Sequence, residues 1–455
     1  MAGIVALTAT ACTNDTGTTG SSGPSSTPVA ATGTSGDPRT IEQPDVTGLQ
    51  VAPDSKRVDL EMPSFSDPTN IDNPLFPVGR EDSNLLLGKV DGERFRTEVT
   101  VLPETRFITW EGQRIETVVS QYTAYLGGRI NEVALDLYAE DDSGAVWYFG
   151  EDVFNFELGV VADTEGTWFA GKDGPAAMIM PADPQVGDVY RPENIPGNVF
   201  EEVTVLATDQ TVNGPQGRVA GALLVSELHM DGQLEDKTFA PGYGEFLTSG
   251  GGDTEALALS VPTDELPGSA AAPVEDLWAA SNRLYDATVG GPDAGLVANA
   301  ATAVRAAASD IRNGDAPPLV RAALAQELGD LKAADRAGDL PAMAQESVDI
   351  GRVALDLRLR HQPRHQIDLE RLGLWTRQLV VDVMNGSSAE VAGDLACLDL
   401  VRDRIAYAYP SKAMSRLDLV LGELRIAAVD EDASAARAAA ASVRTTMDEL
   451  SPISR

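Results

Sequence analysis

Phe154-Asn155-Phe156-Glu157-Leu158 alternates apolar and polar residues with a period of two. An extended chain points successive side chains to opposite faces, so Phe154, Phe156 and Leu158 share one face and Asn155 and Glu157 the other. Upstream, the same pattern sets Val133, Leu135 and Leu137 against Glu132, Asp136 and Tyr138. Such runs fill Asn73 to Val261 and are punctuated by Val90-Asp91-Gly92-Glu93, Leu126-Gly127-Gly128, Asp142-Ser143-Gly144, Val212-Asn213-Gly214 and Met230-Asp231-Gly232. Asn-Gly and Asp-Gly pairs tolerate the positive φ that tight hairpins need. Hairpin after hairpin makes an antiparallel meander, whose apolar face must be covered by curling, by a second sheet or by helices.

The period changes beyond Pro262 to Pro273, a linker with three prolines and an alanine run. Leu277, Ser281, Leu284 and Thr288 are spaced four, three and four, and Val297, Ala300, Val304, Ala308 and Ile311 continue after Gly290-Gly291-Pro292. The plan recurs three times: Val320 to Ala337 with Leu340 to Leu359, Leu369 to Met384 with Glu390 to Ala408, and Met414 to Val429 with Ala435 to Leu450. Ser387-Ser388-Ala389-Glu390 has capping-box spacing, and Pro317-Pro318 and Pro410 fall where helices must stop. The expected fold is α+β with two domains. An antiparallel β-meander over 61–261, a curved sheet or half-barrel, precedes an all-α domain over 274–455. Its four αα-hairpins close into a helical bundle or stack as a short solenoid.

The head of the chain carries a different signal. Ile4-Val5-Ala6-Leu7 passes into Thr8-Ala9-Thr10-Ala11-Cys12 and then into a Thr/Ser/Gly/Pro-rich run. This resembles a bacterial lipobox, with residues 1–12 the remnant of a lipoprotein signal. The resemblance implies acylation of Cys12 and an extracytoplasmic protein anchored to the cell membrane by lipid. Ala9 stands where lipoboxes carry a large aliphatic residue. Met1-Ala2-Gly3 supplies no basic residue, so the true start is expected upstream; were Met1 the start, the protein would stay in the cytoplasm. Residues 13–60 read as a tether with too little apolar surface to fold.

Composition narrows the partners. The 455 residues carry a net charge of -36, which excludes nucleic acid and anionic headgroups as docking surfaces. Only Cys12 and Cys397 are present. With Cys12 acylated no disulfide is possible, and Cys397, among Leu395, Leu398 and Leu400, is expected to be a buried inert thiol.

Asn73-Pro74-Leu75-Phe76-Pro77, Val146-Trp147-Tyr148-Phe149-Gly150-Glu151-Asp152, Met180-Pro181-Ala182-Asp183-Pro184-Gln185-Val186-Gly187-Asp188-Val189-Tyr190-Arg191 and Ala240-Pro241-Gly242-Tyr243-Gly244-Glu245 resemble an uncharacterised family of secreted bacterial proteins. That family brings no established activity. In plan the domain is also similar to LolA-like and LppX-like lipoprotein carriers, which implies a curved sheet able to hold a hydrophobic molecule.

Candidate chemistry is sparse. His361, His365, Asp368 and Glu370 are the one cluster of ligand-type residues, but Pro363 interrupts the helix that would align the two histidines. His229 reads as a half-buried strand residue. Acidic pairs such as Glu140-Asp141-Asp142, Glu151-Asp152 and Glu201-Glu202 read as solvated surface. No G-x-S-x-G, H-E-x-x-H, P-loop or dinucleotide fingerprint occurs, so no cofactor is expected. Trp147, Phe149, Phe154, Phe156 and Trp168 could line a ligand pocket or fill a core. The expectation is a non-enzymatic envelope protein that binds a hydrophobic small molecule or another envelope protein. The alternatives are a metal-binding protein or enzyme centred on His361 and His365, and a purely structural component.

Overall fold

The computed structural model describes residues 48–450, apart from 81, 292 and 312–315. Fourteen strands form one antiparallel sheet. The first run is β1 (Ser83–Val90), β2 (Glu93–Trp110), β3 (Gln113–Leu126), β4 (Arg129–Glu140), β5 (Val146–Glu157) and β6 (Val160–Asp163). Short β7 (Trp168–Phe169) and β8 (Ala177–Met180) both pair with β5. The second run is β9 (Val189–Ile195), β10 (Val199–Gly214), β11 (Gly217–His229), β12 (Leu234–Ala240), β13 (Gly244–Gly250) and β14 (Asp253–Val261). β1 pairs with β14, so the chain enters and leaves the sheet at its centre. Many hairpins close on two residues that both have positive φ, as at Asp91-Gly92, Glu111-Gly112 and Gly127-Gly128. That geometry matches the twist of the flanking strands. Asn213-Gly214 is not a turn: both residues remain paired, and the chain reverses at Pro215-Gln216.

The sheet is open but curls until its ends approach, with β8 packed against β9. The chain before β1 straps this region. Val58 donates to Val189 O, and Ala52 N to Glu202 Oε1, so residues 48–60 are held to the sheet rather than belonging to a free tether. Cys12 and the tether up to residue 47 lie outside the described residues. The four quoted motifs meet in space. Asn73 Nδ2 donates to Pro181 O, Gly242 N donates to Pro74 O, and Val146 pairs with Met180.

The helical half consists of α1 (Ala272–Val289), α2 (Ala294–Asp310), α3 (Pro318–Ala337), α4 (Leu340–Arg358), α5 (Arg364–Asn385), α6 (Ser388–Ile405), α7 (Ser411–Val429) and α8 (Ala433–Leu450). They form the four expected hairpins. α1 also packs against α4, and α5 against α8, which closes the set into a bundle. Gly338 and Gly386 end α3 and α5 in the left-handed conformation. The expected capping box is not made: Ser387 accepts no side-chain bond, and its N–H instead returns to Asp382 O behind Gly386. No helix among the described residues is long and apolar enough to cross a membrane.

The bundle covers the convex face of the sheet, and one apolar core runs through both. Leu85, Tyr125, Ile130, Val133 and Leu259 from the strands join Leu277, Leu372 and Val401 from the helices. Tyr125 stacks on Trp375 with ring centroids 5.6 Å apart. The linker belongs to this layer, since Asp264 is buried and Leu266 N donates to Arg360 O. A buried ion network crosses the same boundary. Arg96 grips both oxygens of Asp356 at 2.8 Å and also reaches Glu98, while Arg371 and Arg404 join Glu98 to Asp368. Burial opposes ionisation of Glu98, but Arg371, Arg96 and Arg404 outweigh it and hold the carboxyl well below its ordinary range.

Candidate functional site: an acidic inner face

The strand register that sends Val133 and Phe154 outward to the helices sends their neighbours inward. Asp136 lies opposite Glu151 on β4 and β5, and Glu193 opposite Glu201 on β9 and β10. Glu201 in turn faces His229, and Glu227 faces Glu235. Thr248 lies between Lys237 and Glu255. With Glu132 and Glu245, this puts nine buried carboxyl groups on the inner face, all of them less than a tenth exposed. The balancing cations there are Lys237 and His229. Lys237 Nζ is 2.7 Å from Glu227 Oε1. His229 has Glu201 3.4 Å from Nδ1, and Glu227 and Glu235 3.5 and 3.3 Å from Nε2.

Two cations cannot hold nine carboxylates ionised in a buried space, and the titration of the groups divides accordingly. Burial, then the charges of Asp136 and Glu255, pushes Glu132 up to about 8. Burial, then Asp136, pushes Glu151 to about 8, and burial, then Glu245, does the same for Glu255. Glu193 is raised by burial and by Glu201, and Glu227 reaches about 7 through burial and Glu201 despite Lys237. Glu201 goes the other way. Burial opposes its ionisation, but His229 and Lys237 bring it down to about 2. His229 is raised to about 10, its carboxylate neighbours outweighing burial. Near neutral pH the His229 ring is therefore an imidazolium, and several inner carboxyls keep their protons.

Polar neighbours satisfy only part of this surface. Tyr148 OH donates to Asp136 Oδ1 at 2.8 Å, and Trp168 Nε1 to Glu193 Oε1 at 3.4 Å. Glu132 Oε1 has no hydrogen-bond partner among the described residues. The inner face also has an apolar zone beside the acidic one, where Leu86, Val99, Tyr122, Val153, Phe246 and Leu257 form a core of their own. No family model and no curated protein matches this chain.

Glu201, Glu227 and His229 can each offer one atom to a common metal ion. The ion would have to displace the imidazolium proton and the Lys237 ammonium beside Glu227. A second group, Glu327, Glu346 and Asp349, lies on α3 and α4 with Arg94 already bound to Glu327.

The aromatic residues singled out from the sequence do not line one pocket. Trp147 and Phe149 pack around Trp110, with centroids 6.4 and 5.9 Å away. Trp168 sits across the strand against Tyr148. Phe154 and Phe156 pack against the helical layer. Alternation along β5 separates Trp147 and Phe149 from Tyr148, and Leu158, expected beside Phe156, lies in the turn at φ 50 and is exposed. Trp147 borders a cleft of ≈ 230 Å³ with Met62, Trp110 and Met178.

The histidine cluster also comes apart. His361 Nδ1 lies 3.1 Å from Gly268 O, His365 packs on Tyr409, and Pro363 breaks the chain between them at the start of α5. Asp368 is enclosed by Arg364, Arg371 and Arg404, and Glu370 is bound by Arg358. Glu151, Glu201 and Glu202, expected on a solvated surface, are buried, the first two in the inner face and Glu202 against Arg191 and the Ala52 N–H. For Glu151 the signal in the sequence is its place out of phase with Phe154 and Phe156, which pack against the helices.

Proposed function

We propose that this chain is a lipid-anchored, non-enzymatic binding protein of the cell envelope whose β domain holds a cationic ligand. The observation that carries this reading is the inner face itself, where nine buried carboxyl groups meet one lysine and one histidine. A positive charge entering there stabilises the ionised carboxylates and releases the protons that Glu132, Glu151 and Glu255 hold near neutral pH. The adjoining apolar zone suits the body of an amphiphilic cation. That keeps the carrier idea but gives the cargo a charged head. A divalent metal ion shares the electrostatic requirement without using the apolar zone.

The test is proton release from the full chain at pH 7, followed by pH-stat, with calcium, zinc, spermine and dodecyltrimethylammonium in separate arms. Saturable release with dodecyltrimethylammonium, reduced in a Glu132→Gln/Glu151→Gln variant, supports an amphiphilic cation. Release with zinc or calcium alone makes the site a metal centre. No release in any arm refutes cation binding. The anchor is tested separately: Cys12→Ala is expected to free the protein from the membrane fraction, and unchanged membrane association would refute lipidation at Cys12.

A further inference from the structure

A second cleft lies on the far side of the molecule, in the helical bundle. It opens between α1, α5 and α8, encloses ≈ 440 Å³, and falls within the size range of small-molecule sites. Its apolar wall comes from Leu369, Val443 and Met447, and its aromatic wall from Trp278 and Tyr285. Three arginines face it, Arg377, Arg437 and Arg444, in a chain whose net charge is -36.

Arg377 lines the cleft from α5. Its guanidinium lies over Trp278 and Tyr285, 5.4 and 5.5 Å from the ring centroids. Its hydrogen-bond acceptor is the Asn282 amide oxygen, and no carboxylate among the described residues is within ion-pair distance of it. Three acids line the cleft: Glu370 and Asp286 are engaged or loosely held, and Asp448 is exposed on α8. Glu370 is bound by Arg358, and Asp286 meets Arg444 at 3.5 Å with both side chains more than half exposed. Arg437 donates to Val289 O. Burial is also the leading influence that lowers the Arg377 pKa, consistent with a cation short of counter-charge. The buried Arg358, Arg364, Arg371 and Arg404 contrast with it, since each contacts a carboxylate.

We infer that the α1/α5/α8 cleft binds an organic anion, with a carboxylate or phosphate head on Arg377 and Arg444 and a planar apolar body between Trp278 and Met447. A guanidinium presents paired donors that match such heads, and its stacking on the two rings fixes its plane before a ligand arrives. The weak Arg444 contact with Asp286 can open to give the second donor set.

The test is isothermal titration of the full chain with phenyl phosphate, and with benzylamine as the probe of opposite charge. Saturable phenyl phosphate binding that weakens with added salt is expected, and excess benzylamine should not compete for it. Arg377→Met should weaken it by about tenfold or more, since a charge-assisted hydrogen bond is lost. Arg377→Lys should recover part of the affinity, and Arg336→Met at the end of α3, outside the cleft lining, should leave binding unchanged. Circular dichroism and melting curves of each variant establish that the bundle is folded. Absence of saturable phenyl phosphate binding, or equal binding in a folded Arg377→Met variant, overturns the inference. The cation reading of the β domain is untouched by either outcome, because Glu132 and Glu151 are not varied.

Discussion

Replacing Glu132 by Gln should make the protein more stable, and increasingly so as pH rises. The carboxyl lies on the inner face, 8% exposed, with Oε1 unpartnered among the described residues. Its pKa rises from 4.5 to about 8 on folding, through burial and then the charges of Asp136 and Glu255. A raised carboxyl binds more protons in the folded state than in the unfolded one. Its contribution is therefore most favourable below about 4.5 and is lost as pH climbs to about 8. At about 1.4 kcal/mol per pH unit, the wild-type side chain costs about 3 kcal/mol at pH 7 and under 1 kcal/mol at pH 5. Gln has the shape of the protonated acid and ionises in neither state. Guanidinium chloride unfolding of the full chain at pH 5, 7 and 8 should give nearly equal midpoints at the first and a clear gain for Glu132→Gln at the others. A gain that does not grow with pH, or a variant less stable at pH 8, would refute the reading of the inner face as short of positive charge.

Glu98→Gln should have the opposite character. It leaves Arg96, Arg371 and Arg404 short of a counter-charge at the boundary between sheet and bundle, at a cost of about 3–5 kcal/mol read by chemical unfolding. Because the Glu98 pKa is lowered on folding, that contribution is present above about 4.5 and lost as pH falls, so the cost of the variant should shrink in acid. Gly159→Ala should loosen the β5–β6 hairpin from α6, since a Cβ there would lie 2.1 Å from Ala389 O on a backbone at φ +77. Hydrogen exchange of β6 should speed up, and unchanged protection would count against that contact. The buried Cys397 thiol, raised well above its ordinary range by burial, should stay unreactive to a disulfide reagent in native Cys12→Ala protein and react on unfolding.

The elements themselves were legible. Period two over Val133 to Leu137 and period 3.6 from Leu277 onward separate strands from helices, and the two-residue Gly turns and Pro363 set many boundaries. Errors arose where local spacing was overruled by neighbours. Ser387 has a capping-box spacing, yet the preceding Gly386 turn takes its N–H back to α5. The strap before β1 reads as more tether, because its hold on the sheet depends on partners such as Val189 and Glu202, more than a hundred residues away.

The candidate site was the least legible part, and the reason is geometric. Alternation fixed which residues share a face: Glu132 with Asp136, and Phe154 with Phe156. It could not fix what each face meets. A lone sheet would turn its apolar face to a core and its acidic face to water, but here the bundle takes up the apolar convex face and the curl closes over the acidic one. The elements, their order and their two-faced character follow from backbone period and turn chemistry, which are local properties of the chain. The tertiary structure alone decided that Glu151, Glu193, Glu201 and Glu227 from distant strands share one buried space with His229 and Lys237, because proximity across a curled sheet depends on long-range closure.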